Sequence, residues 1–397
     1  MLSLFSKVLW SRVLSILSFF VPKNGKLILF GAYSGGYFGD NSGALYQYFI
    51  NHHKKEFHCV WLTDDVRVLS CVRSFGGVAY LKSSYTGIWL SLRAAIIIAT
   101  HHTNDVLLYN PIFKRPKVLF LHHGAPNRKG HTKSKHGVFK NDTGLLKLRN
   151  EITCMIATSL WGSDRQRMLI PVLPSQVKIT GYPRNDFLFK PDKSVINSIQ
   201  DKYDLGNYIV LYATTWRKWA PVRYFPFDGL DLNVLCDFLE KRKITIIIRP
   251  HSTDLKRQKD NMFWKSLHDL NKTIKVVTRD DIADVQPLLY LSNCLITDYS
   301  SIYHDYLLLN RPIIYLSYDY DVYSQKVGGF NMDYDEFSPG PKPKTQAEFI
   351  DSLEMLLNKN DPYVERRLKI RDIIHEYKDG QACSRVYKLI KEMIAPV

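Results

Sequence analysis

The feature that most constrains this chain is a short, mainly apolar run that recurs along it, each time followed by a polar or glycine-rich turn and a helix-length segment. Runs at 26–30 (KLILF), 58–62 (HCVWL), 78–81, 95–99 (AIIIA) and 118–121 form one series; 208–212 (YIVLY), 244–248 (ITIII), 274–277, 294–297 and 312–316 form a second. A strand wetted on one face alternates apolar and polar residues. These runs do not alternate, so both faces of each sheet must be covered, as in a parallel α/β sheet flanked by helices. One core stops growing at about 250–300 residues, and this chain has 397. The two series therefore predict two Rossmann-like domains facing each other across a cleft, at 23–190 and 191–397, behind an N-terminal helix at 1–22. Helical patterns near 231–242, 253–270 and 302–309 separate the later strands. Three more between about 345 and 394 are assigned to the second domain.

Charge narrows the partners. A formal net charge of +16 implies an anionic partner: nucleic acid, a phosphorylated substrate or an acidic lipid surface. Basic residues are spread through the chain, and no RNA-recognition motif, helix-turn-helix or zinc finger is visible, so nucleic acid is not expected as a partner. The six cysteines are dispersed, without a Cys-x-x-Cys pair, and read as buried hydrophobes; no metal or cofactor is expected. In the first 21 residues no small-residue cleavage site follows the apolar stretch. On a helix, Ser3, Lys7, Ser11, Ser15 and Ser18 form a polar stripe among Leu, Phe, Trp and Val, while Lys7 and Arg12 interrupt a membrane span. That pattern suits a helix lying on the anionic cytoplasmic face of a membrane. It equally suits a helix packed on the protein's own core, and periodicity does not separate the two.

Open parallel sheets bind ligands beyond the carboxyl ends of their strands, so the residues that follow each run carry the functional information. After the first run comes GAYSGGYFGDN (31–41), whose glycines make no dinucleotide fingerprint but let backbone approach a phosphate near a helix start, with Asp40 and Asn41 at its end. After 118–121 come His122, His123 and Gly124, then the cations Arg128 and Lys129; a neutral imidazole there suits a general base and the cations suit phosphate. GYPRND (181–186) supplies Arg184, TTWR (214–217) supplies Thr215 and Arg217, and RPH (249–251) supplies Arg249 and His251. The block TDYSSIYHDY (297–306) ends a strand at Asp298 and opens a helix with Ser300 and Ser301, a hydroxyl and amide cradle for an anion. Each cluster also has a plain structural use, as surface ion pair, packing residue or helix cap.

Taken together and in this order, LHHGAP, GYPRNDFL, YATTWR, RPH and ITDYSSIYHDYLLLNRPIIYLSYDYDVY, with GFNMDYDEFSPGP (329–341) and DGQACSR (379–385), resemble the CDP-glycerol glycerophosphotransferase family, builders of teichoic acids and related phosphate-linked capsule polymers. The resemblance runs from about Lys26 to the C-terminus. It implies an α/β fold of GT-B type with the CDP-alditol held mainly by the C-terminal domain. It makes His123 and His251 the catalytic candidates. Arg184, Thr215, Arg217, Ser300, Ser301 and Asp305 become donor contacts, and Asp281 and Ile282 shape the nucleotide pocket; the strand-end reading adds Gly124, Arg249 and Asp298 to the donor contacts and Asp40, Asn41, Arg128 and Lys129 to the acceptor or phosphate side. The chain departs from the family pattern in carrying His122 where the family has Trp, Ala125 where it has Thr, and no Arg near Gly328.

The implied chemistry is in-line attack of an acceptor hydroxyl on the donor's distal phosphorus with release of CMP, in which positioning and charge neutralisation dominate. The acceptor is a lipid-linked or capsular surface polymer. Two other readings remain at this stage: a GT-B glycosyltransferase using a nucleotide sugar, told apart by the nucleotide released, and a basic nucleic-acid-binding protein, told apart by salt-sensitive DNA binding without transferase activity.

Overall fold

The computed structural model describes residues 4–109, 115–124, 127, 149–257 and 272–395, and the chain divides into two compact units. Unit 1 comprises Met1–Ala125, Gly137–Asp186 and Asp379–Val397; unit 2 comprises Pro126–His136 and Phe187–Lys378.

Unit 1 is built on seven strands: β1 (Asn24–Phe30), β2 (His58–Thr63), β3 (Ala79–Leu81), β4 (Ala94–Ala99), β5 (Lys117–Phe120), β6 (Cys154–Ala157) and β7 (Val177–Ile179). Their order is β3-β2-β1-β4-β5-β6-β7, and every neighbouring pair is parallel. The non-alternating sequence has the expected cause. Ile28 and Phe30 pack on one face with Tyr46, Phe49, Trp61, Val386 and Ile390. Leu27 and Leu29 pack on the other with Leu14, Leu62 and Leu92. Helices Asp40–His52 and Ala382–Ile394 cover the first face, and Leu4–Phe20 and Tyr85–Arg93 the second.

The last helix, Ala382–Ile394, therefore belongs to unit 1, not to the C-terminal domain where chain order placed it. Its physical anchor is Asp186, whose carboxylate accepts from the Ala382 and Cys383 amides at 2.8 Å each. These amides stand at a helix start, outside the helix's own ladder, where a negative charge is favoured. The Arg385 guanidinium adds a bond to the Thr180 carbonyl at 3.1 Å. Two motifs of the resemblance, the end of GYPRND and DGQACSR, thus hold each other.

The N-terminal helix turns Ser15 and Ser18 inward. Leu14, Ser15 and Ser18 are buried, and the Ser18 hydroxyl donates to the Ser15 carbonyl at 2.7 Å. Its apolar side chains face outward, with Trp10 54 %, Ile16 56 % and Phe20 71 % exposed. Among the described residues no helix is long and apolar enough to cross a membrane.

Unit 2 carries β8 (Tyr208–Tyr212), β9 (Ile244–Ile248), β10 (Ile274–Val276), β11 (Cys294–Thr297) and β12 (Ile313–Tyr315) in the order β10-β9-β8-β11-β12. All of its pairs are parallel. Val210, Ile246 and Ile296 pack against Leu235, Phe349 and Leu353 in its core. The apolar runs fall on strands to within one or two residues; the segment VKIT before GYPRND contains β7, and β6 (CMIA) is the strand the reading passed over. Of the helical pattern at 253–270, Ser252–Arg257 is seen and the remainder lies outside the described residues.

Each sheet has a switch point where the strand order runs outward in both directions, at β1/β4 in unit 1 and β8/β11 in unit 2, and there ligand crevices form. In unit 1 the loops after β1 and β4 are tied by buried Asp105, which accepts from the amides of Ser34 (2.7 Å), Thr100 (2.9 Å) and His101 (2.7 Å). Gly31 must lack a side chain, because a Cβ there would lie 2.3 Å from the Asp105 carbonyl oxygen. Asp105→Ala strands the buried Thr100 amide and the part-buried amides of Ser34 and His101 and should lower unfolding free energy by about 3 kcal/mol. A urea midpoint equal to wild type would contradict this.

Candidate functional site

At the carboxyl ends of β1, β4, β5 and β7, unit 1 gathers one cluster. Three imidazoles form a column with His123 in the middle: His101 stacks on it at 4.4 Å and 13°, and His122 at 4.8 Å and 3°. Tyr33 lies against His101 with centroids 4.0 Å apart. His122 is buried while His123 keeps an exposed surface. His122 adopts a left-handed backbone, φ 54°, a region that costs a non-glycine residue energy and recurs at functional turns. The Gly124 amide donates to His122 Nδ1 at 3.2 Å and fixes that ring.

Beneath the column, Arg184 Nη1 pairs with Asp40 Oδ1 at 2.6 Å and donates to the His123 carbonyl at 2.9 Å. Asn41 locks the same corner. Its Nδ2 donates to the His122 carbonyl at 2.8 Å, and its Oδ1 accepts from the Arg184 amide at 3.2 Å. Tyr33 donates its hydroxyl proton to Asp40 Oδ2 at 3.1 Å. Burial alone would raise the Asp40 carboxyl, but Arg184 and then His123 hold it below the ordinary carboxylate value. The histidines move the other way. Burial and the neighbouring His101 push His122 down to about 4. The enclosing protein, then His122 and His101, keep His123 well below the ordinary imidazole value. At neutral pH His123 is an uncharged proton acceptor.

In unit 2 the loops after β8, β11 and β12 meet around Arg217. Its side chain is fully buried; Nη1 pairs with Asp298 Oδ2 at 2.6 Å, while Nη2 and Nε reach Asp319 at 2.8 and 3.0 Å. The rings of Tyr299, Tyr318 and Tyr323 surround the guanidinium at 5.2–5.6 Å. Asp298 Oδ1 also accepts from the Thr215 and Tyr299 amides, at 2.8 and 2.6 Å. Burial would lower the arginine, and Asp298 and Asp319 outweigh it and raise it. Arg217 and Asp298, read from sequence as donor contacts, are turned inward to each other, so they shape the loops and do not present charge at the surface. Arg249 does likewise: its guanidinium donates to the carbonyls of Thr278, Ile282 (2.6 Å) and Ala283 (3.1 Å) and so frames the loop after β10. Asp281 closes that loop by accepting from the Thr278 amide and hydroxyl at 2.8 and 2.7 Å.

The groups that remain open are different ones. His251 is exposed, stacks on Trp216 at 5.6 Å and accepts the Thr253 amide on Nδ1 at 3.2 Å. That bond places the neutral ring's proton on Nε2, pointing a donor outward. Burial, then Arg279, lower the pKa of His251. Ser300 and Ser301 are half-buried. Ser300 Oγ accepts the Ile302 amide at 3.4 Å, and Ser301 makes no side-chain cap. Asp305 is buried and bonded to Gln286 at 3.3 Å, inside the fold. Arg128 and Lys129 lie outside the described residues.

His101 and Asp319 were missed from sequence. Both follow a strand directly, in AIIIATH and IIYLSYD, and the carboxyl-end rule applied to every strand would have found them. Among the described residues no group of His, Cys, Asp or Glu is arranged to hold a metal ion.

The sequence profile of the family described as CDP-glycerol:poly(glycerophosphate) glycerophosphotransferase matches residues 13–392. A teichoic acid glycerol-phosphate transferase of Staphylococcus aureus is 27% identical over 92% of this chain and 93% of its own length. A teichoic acid poly(glycerol phosphate) polymerase of Bacillus spizizenii is 27% identical over 85% of each. Among solved structures, the wall teichoic acid polymerase TagF superposes with a TM-score of 0.77 at 21% identity, over 98% of this chain and 97% of that one. This likeness identifies the fold as GT-B type.

Arg217→Met leaves Asp298 and Asp319 buried without their counter-charge and should cost about 3–5 kcal/mol. Denaturant unfolding of the variant measures this, and a loss below about 1 kcal/mol would show that the pair is not what holds these loops.

Proposed function

The chain belongs to the CDP-glycerol:poly(glycerophosphate) glycerophosphotransferase family, transferases that move glycerol phosphate from CDP-glycerol to a polymer, and from that premise we propose how its residues divide the work. Unit 1 supplies the proton acceptor and unit 2 the donor-binding groups. The acceptor is a teichoic-type polymer, as the names of the relatives suggest.

The observation that carries the reading is His123: an exposed, neutral imidazole at the end of β5 whose carbonyl is pinned by Arg184. It accepts the proton of the polymer's terminal hydroxyl as that oxygen attacks the distal phosphorus of CDP-glycerol. The new P–O bond forms as the pyrophosphate P–O bond breaks, and CMP departs with the electron pair. His251 donates a hydrogen bond from Nε2 to the separating phosphate. A neutral ring suffices, since the CMP phosphate leaves without needing a full proton. Ser300 and Ser301 provide further hydroxyl donors. Arg184 and Asp40 act through His123 and are positioning residues.

The same proposal places the protein peripherally on the cytoplasmic face of the membrane. The outward row of Trp10, Ile16 and Phe20 beside exposed Arg12 supports this, as an apolar strip flanked by cations suits an anionic leaflet. Replacing Trp10, Ile16 and Phe20 together by Glu should weaken cosedimentation with phosphatidylglycerol vesicles at least about tenfold. Unchanged sedimentation would remove the helix from the membrane contact.

His123→Ala should lower kcat for CMP release about 100-fold or more. The pH dependence has a defined sign. A general base works only when unprotonated, and the His123 pKa is depressed, so kcat/KM should hold its plateau below pH ~6.5, the ordinary imidazole value, and fall only at more acid pH. An acid limb at or above that value would argue against His123 as the base.

A further inference from the structure

Unit 2 contains a cavity of about 550 Å³ that the residues discussed so far do not account for. It opens at the carboxyl end of β12, between that strand and the segments around residues 223–228, 334–335 and 342–344. Its lining combines aromatic rings and cations with two carboxylates, Asp228 and Asp335. Tyr318, Tyr320 and Tyr334 offer aromatic surface, and Arg223, Lys342 and Lys344 offer positive charge. Arg223 and Lys342 each pair with a carboxylate, Asp228 at 3.0 Å and Asp335 at 3.1 Å. Those acids are 100 % and 85 % exposed on their side chains, so water screens both pairs and either is readily exchanged for another anion. Lys342 also lies 5.7 Å from the centre of the Tyr334 ring. The Lys344 amide donates to Glu348 Oε2 at 2.6 Å, and its side chain lines the cavity.

This combination differs from a nucleotide subsite. The cavity is lined in part by an edge strand of the sheet, whereas the switch point lies at β8/β11. The buried Arg217–Asp319 pair and the Tyr318 ring against it fix the near wall. Spaced cations with aromatic rings between them suit a flexible chain that alternates phosphodiester anions with short polyol carbons: the cations neutralise the phosphates and the ring faces cover the carbon segments. We propose that this cavity is a chain-holding subsite for a polyol-phosphate polymer, separate from the site of phosphoryl transfer. The identity of the chain rests on the glycerophosphate-transfer reading; the polyanion chemistry of the cavity does not.

The test uses the full-length protein and synthetic glycerol-phosphate oligomers of defined length, fluorescently labelled at one end, with no CDP-glycerol present. Binding is read by anisotropy. The variant Arg223→Ala/Lys342→Ala/Lys344→Ala should bind a decamer roughly tenfold or more weakly than wild type, while Arg223→Lys/Lys342→Arg/Lys344→Arg should bind it nearly as wild type does. In the transfer assay the alanine variant should extend a short acceptor at the wild-type rate and make shorter products from a long one. Equal decamer affinity in the alanine variant and wild type would overturn the proposal. So would failure of the charge-conserving variant to restore binding, or release of bound decamer by CDP-glycerol in competition, which would assign the cavity to the donor. If CDP-glycerol proves not to be a substrate at all, the transfer reading fails, while the anisotropy measurement still decides whether the cavity binds polyol phosphate.

Discussion

A buried charge must find its counter-charge inside the fold, because leaving one unpaired costs several kcal/mol. Both units of this protein place such charges at the carboxyl ends of their strands: Arg184 with Asp40, and Arg217 with Asp298 and Asp319. In each case the pair joins loops that leave different strands. The loops cannot move independently without separating the ions, so the open groups they carry are held in register. His123 is held through its carbonyl by Arg184, and Trp216, which stacks on His251, precedes Arg217 in the chain. The guanidinium groups of Arg184 and Arg217 are each paired with these carboxylates.

This division explains the electrostatics of unit 1. Three stacked imidazoles and an arginine would repel one another if the rings were charged, and the enclosure of the column adds a desolvation penalty to any proton that arrives. The result is an imidazole, His123, whose proton affinity is held well below the ordinary value. Asp40 moderates the effect without reversing it, since its charge is already satisfied by Arg184 and by the Tyr33 hydroxyl.

The N-terminal helix shows how composition and placement part company. Ser15 and Ser18 of its sequence stripe pack on the protein, where Ser18 satisfies its hydroxyl on the Ser15 carbonyl. The larger apolar side chains are left on the outside, an arrangement opposite to that of an ordinary surface helix.

The sequence by itself determined the two parallel sheets, because a strand covered on both faces has to be apolar at every position, and that signature is local. It also determined which residues stand beyond the strand ends, since the residues following a strand can be read without knowing the strand's neighbours. His123, His251, Ser300 and Ser301 were legible in this way. Tertiary structure alone decided which charged residues face outward. Arg217 meets Asp298 and Asp319 only because β8, β11 and β12 lie side by side in the sheet, and Asp186 caps the last helix only because that helix returns to unit 1. Periodicity reports how buried a residue is; strand order, which brings together segments 81 to 197 residues apart, decides what it is buried against.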